Sequence, residues 1–122
     1  MVVTDPETGA VIVRGQLGGR CDFDMWAIEV PASGSVRATV LDANGDPCGA
    51  ASVGFRVAMF HTDGHTVAGE GEPRGDNTCP SFDETDAFAD DLEAGRHFVR
   101  VTTAADEATA VGYRLSLEIL AP

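Results

Sequence analysis

The 122-residue sequence has no lysine: its eight basic residues are all arginine, and they stand against 20 Asp and Glu residues. The formal net charge is therefore −12 at pH 7. Such an acidic surface repels nucleic acid and anionic membranes, so neither is expected as a partner. No apolar run approaches the roughly 20 residues that a membrane-spanning helix needs, so membrane insertion is not expected either.

Catalytic motifs are also missing. The sequence has no G-x-S-x-G elbow, no H-E-x-x-H, no C-x-x-C, no P-loop and no G-x-G-x-x-G. His61 and His65 flank one turn, but two imidazoles fall short of the three or four ligands of a zinc site. A carboxylate pair for glycoside cleavage stays open, although no insertion large enough to build a cleft supports it. We therefore expect a protein that is not an enzyme and requires no cofactor.

What the chain does contain is typical of an all-β fold. Hydrophobic residues make up 43%, with 14 Gly and 6 Pro, and apolar residues alternate with polar ones at period 2. We predict a jelly-roll-like antiparallel β-sandwich of seven to eight strands over residues 11–122, preceded by a linker over residues 1–10. The main predicted strands are Val11–Leu17, Met25–Val30, Ser35–Leu41, Val53–Phe60, Phe98–Thr103 and Tyr113–Leu120.

Three further predictions concern the second half of the chain. The stretch Leu92–Leu120 is expected to form a hairpin that closes the sandwich, because two alternating runs are joined by small, polar residues. Glu70–Asp86 is expected to be a long polar loop, and Ala87–Leu92 a short edge strand. Asp63-Gly64 is a hairpin turn signal, from which the chain returns through His65–Ala68.

Three stretches together resemble the bacterial pre-peptidase C-terminal domain family, a group of β-sandwiches like collagen-binding domains. They are Asp22-Phe23-Asp24-Met25-Trp26-Ala27-Ile28, the strand Phe55–Phe60 with its Asp63-Gly64 turn, and the run from Leu92 to Val101 followed by Tyr113-Arg114-Leu115-Ser116-Leu117. Each stretch is degenerate, but their order and spacing match the family over nearly the whole chain.

The resemblance implies a non-catalytic accessory module of a secreted or cell-surface protein, such as a hydrolase or peptidase. Such modules serve secretion, tethering or the binding of an extracellular protein or polysaccharide, or they contact their own parent enzyme. The alternative is a structural subunit of an extracellular assembly that self-associates through sandwich faces or edges, which would make the protein a homo-oligomer.

Three cysteines allow one internal bridge and one remaining thiol. Cys48 and Cys79 lie fifteen residues on either side of the Asp63-Gly64 turn, so facing hairpin positions could bring them together. Two buried free thiols are the alternative. The family resemblance implies an extracellular location and therefore favours the Cys48–Cys79 disulfide. Cys21 would then be unpaired, either buried or in an intermolecular link.

The segment after residue 82 is rich in carboxylates, whose oxygens suit calcium. The candidate ligands are Asp83, Glu84, Asp86, Asp90 and Asp91. Some members of the family bind calcium, but their ligand motif does not align here, and no metal residue is carried over. A solvated acidic loop is the alternative interpretation.

The remaining candidate residues have either a structural role or a predicted position on the outer surface. Asp22 and Asp24 bracket the start of a strand, and in the family such residues mostly fix the entering loop by bonding backbone amides. Calcium binding is the alternative role for these two residues. Phe60 and Phe98 fall on the opposite phase to their strands' core residues, so we predict that they form an outer contact patch. Trp26 and Tyr113 fall on the core phase.

Overall fold

The computed structural model describes residues 2–3, 10–18, 22–49, 54–103 and 111–122, and the statements below refer to these residues. They form a β-sandwich of two five-stranded sheets. Sheet A contains, in spatial order, β1 (Val2–Val3), β3 (Phe23–Val30), β9 (Gly95–Thr103), β5 (Phe55–Phe60) and β6 (Val67–Glu70). Sheet B contains β2 (Ala10–Leu17), β10 (Val111–Leu120), β4 (Ser35–Leu41), β8 (Asn77–Phe82) and β7 (Glu72–Arg74).

The all-β sandwich predicted from the alternation is confirmed, with ten described strands rather than seven or eight. Neighbouring strands are antiparallel except β1 and β3, which pair in parallel. The inward phases of both sheets meet in one core, as period-2 alternation requires. Its fully buried side chains include Ile28, Val57, Val99 and Val101 from sheet A, and Val36, Val40, Leu115 and Leu117 from sheet B.

The predicted closing hairpin is wrong, although both of its strands exist. β9 lies in sheet A between β3 and β5, whereas β10 lies in sheet B between β2 and β4. The chain therefore crosses from one sheet to the other between these strands. Alternation reports that one face of a strand is buried, and it says nothing about which strand is the neighbour.

The predicted polar loop Glu70–Asp86 is also wrong, because it contains β7 and β8. Pro73 and Pro80 face each other in this pair, and the pairing shifts register beside Pro73. Proline lacks a backbone donor and weakens any strand signal, but β7 is an edge strand, where this loss is tolerated. The predicted edge strand Ala87–Leu92 is instead a one-turn 3₁₀ helix, Ala87–Ala89, followed by a single bridge between Leu92 and Gly34.

A disulfide joins Cys48 and Cys79, with their Cα atoms 5.4 Å apart, so the predicted pairing is confirmed. The hairpin geometry from which we argued for this pairing is not confirmed. The turn after β5 belongs to sheet A, whereas Cys79 lies in β8 of sheet B, next to β4, and Cys48 follows β4. Asn77 supports the bridge, because its side-chain oxygen accepts from the backbone amides of Cys48 at 2.8 Å and Cys79 at 3.1 Å.

Some predictions fall outside the described residues, or partly so. Cys21 is among the residues not described. Within the segment predicted to be a linker, residues 1–10, Val2–Val3 forms β1 and Ala10 begins β2. No helix in the described part of the chain is long and apolar enough to cross a membrane.

Candidate binding surface

The outer face of sheet A is built by the residues that alternate with the core positions of β3, β9 and β5. The strand register sets them in rows across the sheet. One row runs Phe23, Thr102, Arg56; the next runs Met25, Arg100, Ala58; the third runs Ala27, Phe98, Phe60; and Glu29 faces Arg96 in the last. We call this set of residues the sheet A face.

Apolar side chains on the sheet A face are both buried and exposed. Phe23 is 54% exposed, and Phe98 is half-buried. Phe60, which we predicted to be an exposed contact residue, is only 3% exposed. The physical reason is that Arg100 on the neighbouring strand folds over the Phe60 ring, with the guanidinium carbon 4.7 Å from the ring centroid. Phe60 therefore supports the surface from below and does not form it.

The stacking of Arg100 on Phe60 is a cation–π contact, which orders the arginine side chain. The Nε atom of Arg100 is buried and has no hydrogen-bond partner among the described residues. The arginine is thus held by packing on the aromatic ring. A guanidinium fixed in this way loses little conformational freedom when it binds a carboxylate.

The sheet A face differs in charge from the protein as a whole. It carries three of the eight arginines, Arg56, Arg96 and Arg100, and one carboxylate, Glu29, in a chain of net charge −12. A second carboxylate, the exposed Glu70 of β6, lies beside Ala58 at its border. Arg96 donates to Glu29 at 2.8 Å. No ion pair to Arg56 or Arg100 is seen within the described part of the chain. The face is therefore a locally basic, partly aromatic area on an acidic molecule.

Behind this face, a buried hydrogen-bond chain connects the two sheets. The indole Nε1 of Trp26 donates to the hydroxyl of Tyr113 at 3.1 Å, and that hydroxyl donates to Oδ2 of Asp24 at 2.6 Å. Burial, together with the hydrogen bond to Asp24, raises the pKa of Tyr113 well above its usual range. The Tyr113 ring lies so close to Gly15 that a Cβ there would be 2.2 Å from the ring. The hydrogen bonds from Trp26 to Tyr113 and from Tyr113 to Asp24 fix β3 of sheet A against β10 of sheet B.

The two aspartates predicted to stabilise the loop have different roles. Asp22 accepts from the backbone amides of Gly18 and Phe23, each at 2.9 Å, as we expected for a residue that fixes the entry to the strand. Asp24 instead accepts from the Tyr113 hydroxyl through its side chain. Its period-2 position points it inward, towards a partner distant in sequence that local motifs do not reveal.

The acidic segment after β8 is engaged by arginines. Arg74 contacts Asp83 at 3.0 Å and Asp86 at 2.5 Å, and Arg37 contacts Glu84 at 2.5 Å. Hydrogen bonds from Thr85 and the nearby Arg74 lower the pKa of Asp83, and the Arg37 guanidinium lowers the pKa of Glu84.

Asp90 accepts from the Ser35 hydroxyl at 2.5 Å, and Asp91 adopts a positive φ of 49°. Across the described ranges, no group of three or more His, Cys, Asp or Glu side chains is placed to hold a metal ion. Calcium binding by this segment stays a prediction, which a calorimetric titration would test.

A shallow groove of about 400 Å³ lies at the end of the sandwich where β3 turns towards β4. It is lined by Glu29, Val30, Pro31, Ile119 and Ala121. Its lining is mostly apolar and includes one carboxylate, Glu29, which already accepts a hydrogen bond from Arg96. A glycosidase-type site uses two carboxylates, and this groove offers one.

Sequence reasoning missed the arginines of the sheet A face and the exposed position of Phe23. The signal was present, because Phe23, Arg56, Arg96 and Arg100 all fall on the outward phase of strongly alternating strands. Only the pairing of β9 with both β3 and β5 brings them together. Without knowing this strand order, the four residues look like scattered polar and apolar surface positions.

No protein-family model matches the chain, and no curated protein matches it. Solved structures do share its fold. PliG of Aeromonas hydrophila, a periplasmic inhibitor of g-type lysozyme, aligns with a TM-score of 0.66 at 13% identity, over 97% of this chain and 93% of that one. PliG of Salmonella Typhimurium aligns with a TM-score of 0.59 at 15% identity, over 98% and 96%.

The pre-peptidase C-terminal domain of a Bacillus anthracis collagenase aligns with a TM-score of 0.56 at 20% identity, over 88% of each chain. The resemblance to this domain that we noted in the sequence is therefore confirmed in the fold. At these identities the likeness describes the architecture, and the function has to be argued from the surface.

Proposed function

We propose that the protein is a non-catalytic, extracellular or periplasmic binding module that recognises another protein through its sheet A face. The observation that carries this proposal is that arginine and aromatic side chains lie together on the sheet A face, in a molecule of net charge −12. The partner would present carboxylates to Arg56 and Arg100 and apolar side chains to Phe23.

The composition of the sheet A face supports a protein partner. Arginine, methionine and aromatic residues are enriched at protein interfaces, and the residues that dominate binding are often arginine or aromatic. Phe23 supplies an exposed ring, and Met25 lies beside it on the same face. Because the centre of the face is already packed, with Ala27, Ala58 and Phe60 at most 5% exposed, binding would require little reordering.

The structural neighbours are consistent with this class of function. Two of them are inhibitors of g-type lysozyme, and a third is an accessory domain of a collagenase. The buried Cys48–Cys79 disulfide supports an oxidising location, since disulfides persist mainly outside the cytosol. These likenesses make an enzyme inhibitor or an enzyme-tethering module the two most direct forms of the proposal.

Retention of the purified protein on immobilised candidates tests the proposal. We would use two protein matrices, insoluble collagen and g-type lysozyme, and two polysaccharides, chitin and cellulose. Each would be tested with calcium and again with a chelator. We expect retention on a protein matrix. Retention confined to a polysaccharide would contradict a protein partner.

A matched pair of variants then locates the binding surface. Phe23→Ser removes an exposed ring from the sheet A face, whereas Ile12→Ser removes a side chain of similar exposure, 60%, from the outer face of sheet B. We expect Phe23→Ser to weaken retention and Ile12→Ser to leave it unchanged. The opposite pattern would move the interface to sheet B.

Self-association in an extracellular assembly is the second candidate function. The observation in its favour is β2, an eight-residue strand at one edge of sheet B that carries the exposed Ile12. Long edge strands are templates for pairing with another chain. Sedimentation velocity over a dilution series would test this function. Oligomers that persist on dilution would favour the assembly, and a monomer at every concentration would exclude it.

A further inference from the structure

We propose that Arg14 and Arg114 form a binding site for an oxyanion, meaning a carboxylate, sulfate or phosphate group, on the outer face of sheet B. This site is separate from the sheet A face. In the strand register, Arg14 of β2 lies directly opposite Arg114 of β10. Like charges in directly opposed positions repel each other, and an anion bound between the two guanidinium groups would relieve that repulsion.

The surroundings of the pair do not neutralise it. On the same face, the register places Gln16 and Gly112 on one side, Ile12 and Ser116 on the other, and Leu41 beyond Arg114. None of these carries a charge. Arg56 and Arg100 of the sheet A face likewise show no ion pair among the described residues, but three other arginines are paired. Arg37, Arg74 and Arg96 all contact carboxylates, whereas no ion pair of Arg14 or Arg114 is seen in the described ranges.

The guanidinium of Arg114 is held in place by packing. Its Nε is buried and has no hydrogen-bond partner among the described residues. The turn after β4 closes over it, because a Cβ on Gly45 would lie 2.8 Å from Nη1 of Arg114. Gly45 has a φ of +84°, which favours glycine.

The carboxylate of Asp42, at the start of this turn, is engaged elsewhere. The Asp42 carboxylate accepts from the backbone amides of Asn44 at 2.9 Å and Asp46 at 3.0 Å, so it stabilises its own turn. A fixed guanidinium with unused donors, at a strand position directly opposite a second and exposed arginine, suits the planar, paired acceptors of an oxyanion. The strongly negative net charge disfavours long polyanions, so the site is suited to a single anionic group.

Nuclear magnetic resonance titration of the whole chain tests this site. The probes are sodium acetate, sulfate and phosphate, each added at constant ionic strength against chloride. We expect a saturable shift of the Gly45, Arg14 and Arg114 amides with at least one probe. A response to acetate alone would point to a protein carboxylate, and a response to sulfate or phosphate would point to a free or polymer-linked oxyanion.

Variants separate a specific site from general ion effects. We expect Arg114→Gln and Arg14→Gln each to weaken the saturable response about tenfold or more, the loss of one charge-assisted contact. Arg37→Gln, which removes an arginine already paired with Glu84, should leave the response unchanged. Both site variants should fold, because each removes one of two repelling charges. Shifts that rise linearly without saturation, or that are equal in all variants, would overturn the proposal.

Discussion

Replacement of Tyr113 by phenylalanine tests whether the buried hydrogen-bond chain holds the two sheets together. The change removes one oxygen and keeps the ring, so the fit against Gly15 and the tilted ring contact with Phe55 are preserved. It leaves the indole N–H of Trp26 without its acceptor and Asp24 without its donor. Trp26 is only 5% exposed, so water cannot readily replace the lost partner.

The expected cost follows from these two losses. A hydrogen bond to a charged group contributes about 1.5–3 kcal/mol, and an unsatisfied buried donor costs about 1–3 kcal/mol. Because Asp24 is partly exposed and can recover water, we expect the free energy of unfolding to fall by about 2–3 kcal/mol in total. For a domain of this size, that corresponds to a fall in Tm of roughly 10 °C.

Urea denaturation followed by tryptophan fluorescence measures this change, since Trp26 is the only tryptophan in the sequence. Ser116→Ala, on the outward phase of the same strand, is the control and should change stability by less than about 0.5 kcal/mol. A double-mutant cycle with Asp24→Asn should show a coupling of about 1 kcal/mol or more. Two results would refute the role assigned to the buried hydrogen bonds. One is a loss of stability in Tyr113→Phe no larger than in the Ser116→Ala control. The other is strict additivity of the Tyr113→Phe and Asp24→Asn losses.

Three further predictions concern the same core. Gly15→Ala should destabilise the fold by about 1–3 kcal/mol, because the added methyl group overpacks against the Tyr113 ring. The same urea assay measures this change, and an unchanged free energy of unfolding would contradict the close approach of the ring to Gly15. Because the pKa of Tyr113 is raised in the folded state, the folded protein holds the phenol proton more tightly than the unfolded chain does. The resulting stabilisation is complete below about pH 10, the pKa of tyrosine in the unfolded chain, and is lost as the pH rises above that value. Absorbance titration of this single tyrosine should therefore show ionisation only together with alkaline unfolding, and reversible ionisation of the folded protein would be the contrary result. The double substitution Cys48→Ser and Cys79→Ser removes the disulfide, whose cysteines are 31 residues apart in sequence. On the chain-entropy model it should lower the free energy of unfolding by about 4 kcal/mol. A denaturation midpoint unchanged from that of the parent would contradict this prediction.

The strands with strict alternation could be predicted from the sequence because their burial is set by period alone. Tyr113, Leu115 and Leu117 are buried in β10, as the pattern of that strand indicated. The same rule failed to give the neighbours of each strand. β9 and β10 each alternate clearly, yet they belong to different sheets, because pairing is decided by contacts far apart in sequence.

Proline-containing strands were missed for a different physical reason. β7 and β8 each contain a proline and have few β-branched residues, so their local preference is weak. They become strands because β8 pairs with β4, and because the disulfide and Asn77 attach β8 to the loop after β4. Tertiary contacts therefore override local propensity there.

The sequence predicted only part of the candidate binding surface. The phase of Phe60 and Phe98 correctly indicated the outer side of their strands, but phase does not report whether a neighbour covers the residue. Arg100 lies over Phe60 and buries it, whereas Phe23 at the far end of the neighbouring strand β3 stays exposed. Long side chains such as arginine can cover apolar surface with their stems, and this coverage depends on strand register.

The most direct test of the proposed function is the affinity of the Phe23→Ala variant for whichever immobilised protein retains the parent. A dominant interface residue costs about 2 kcal/mol or more on truncation, which corresponds to roughly a 30-fold loss of affinity. We predict a loss of this size for Phe23→Ala and a change of less than about twofold, a few tenths of a kcal/mol, for Ile12→Ala. Equal affinities for both variants and the parent would contradict recognition through the sheet A face.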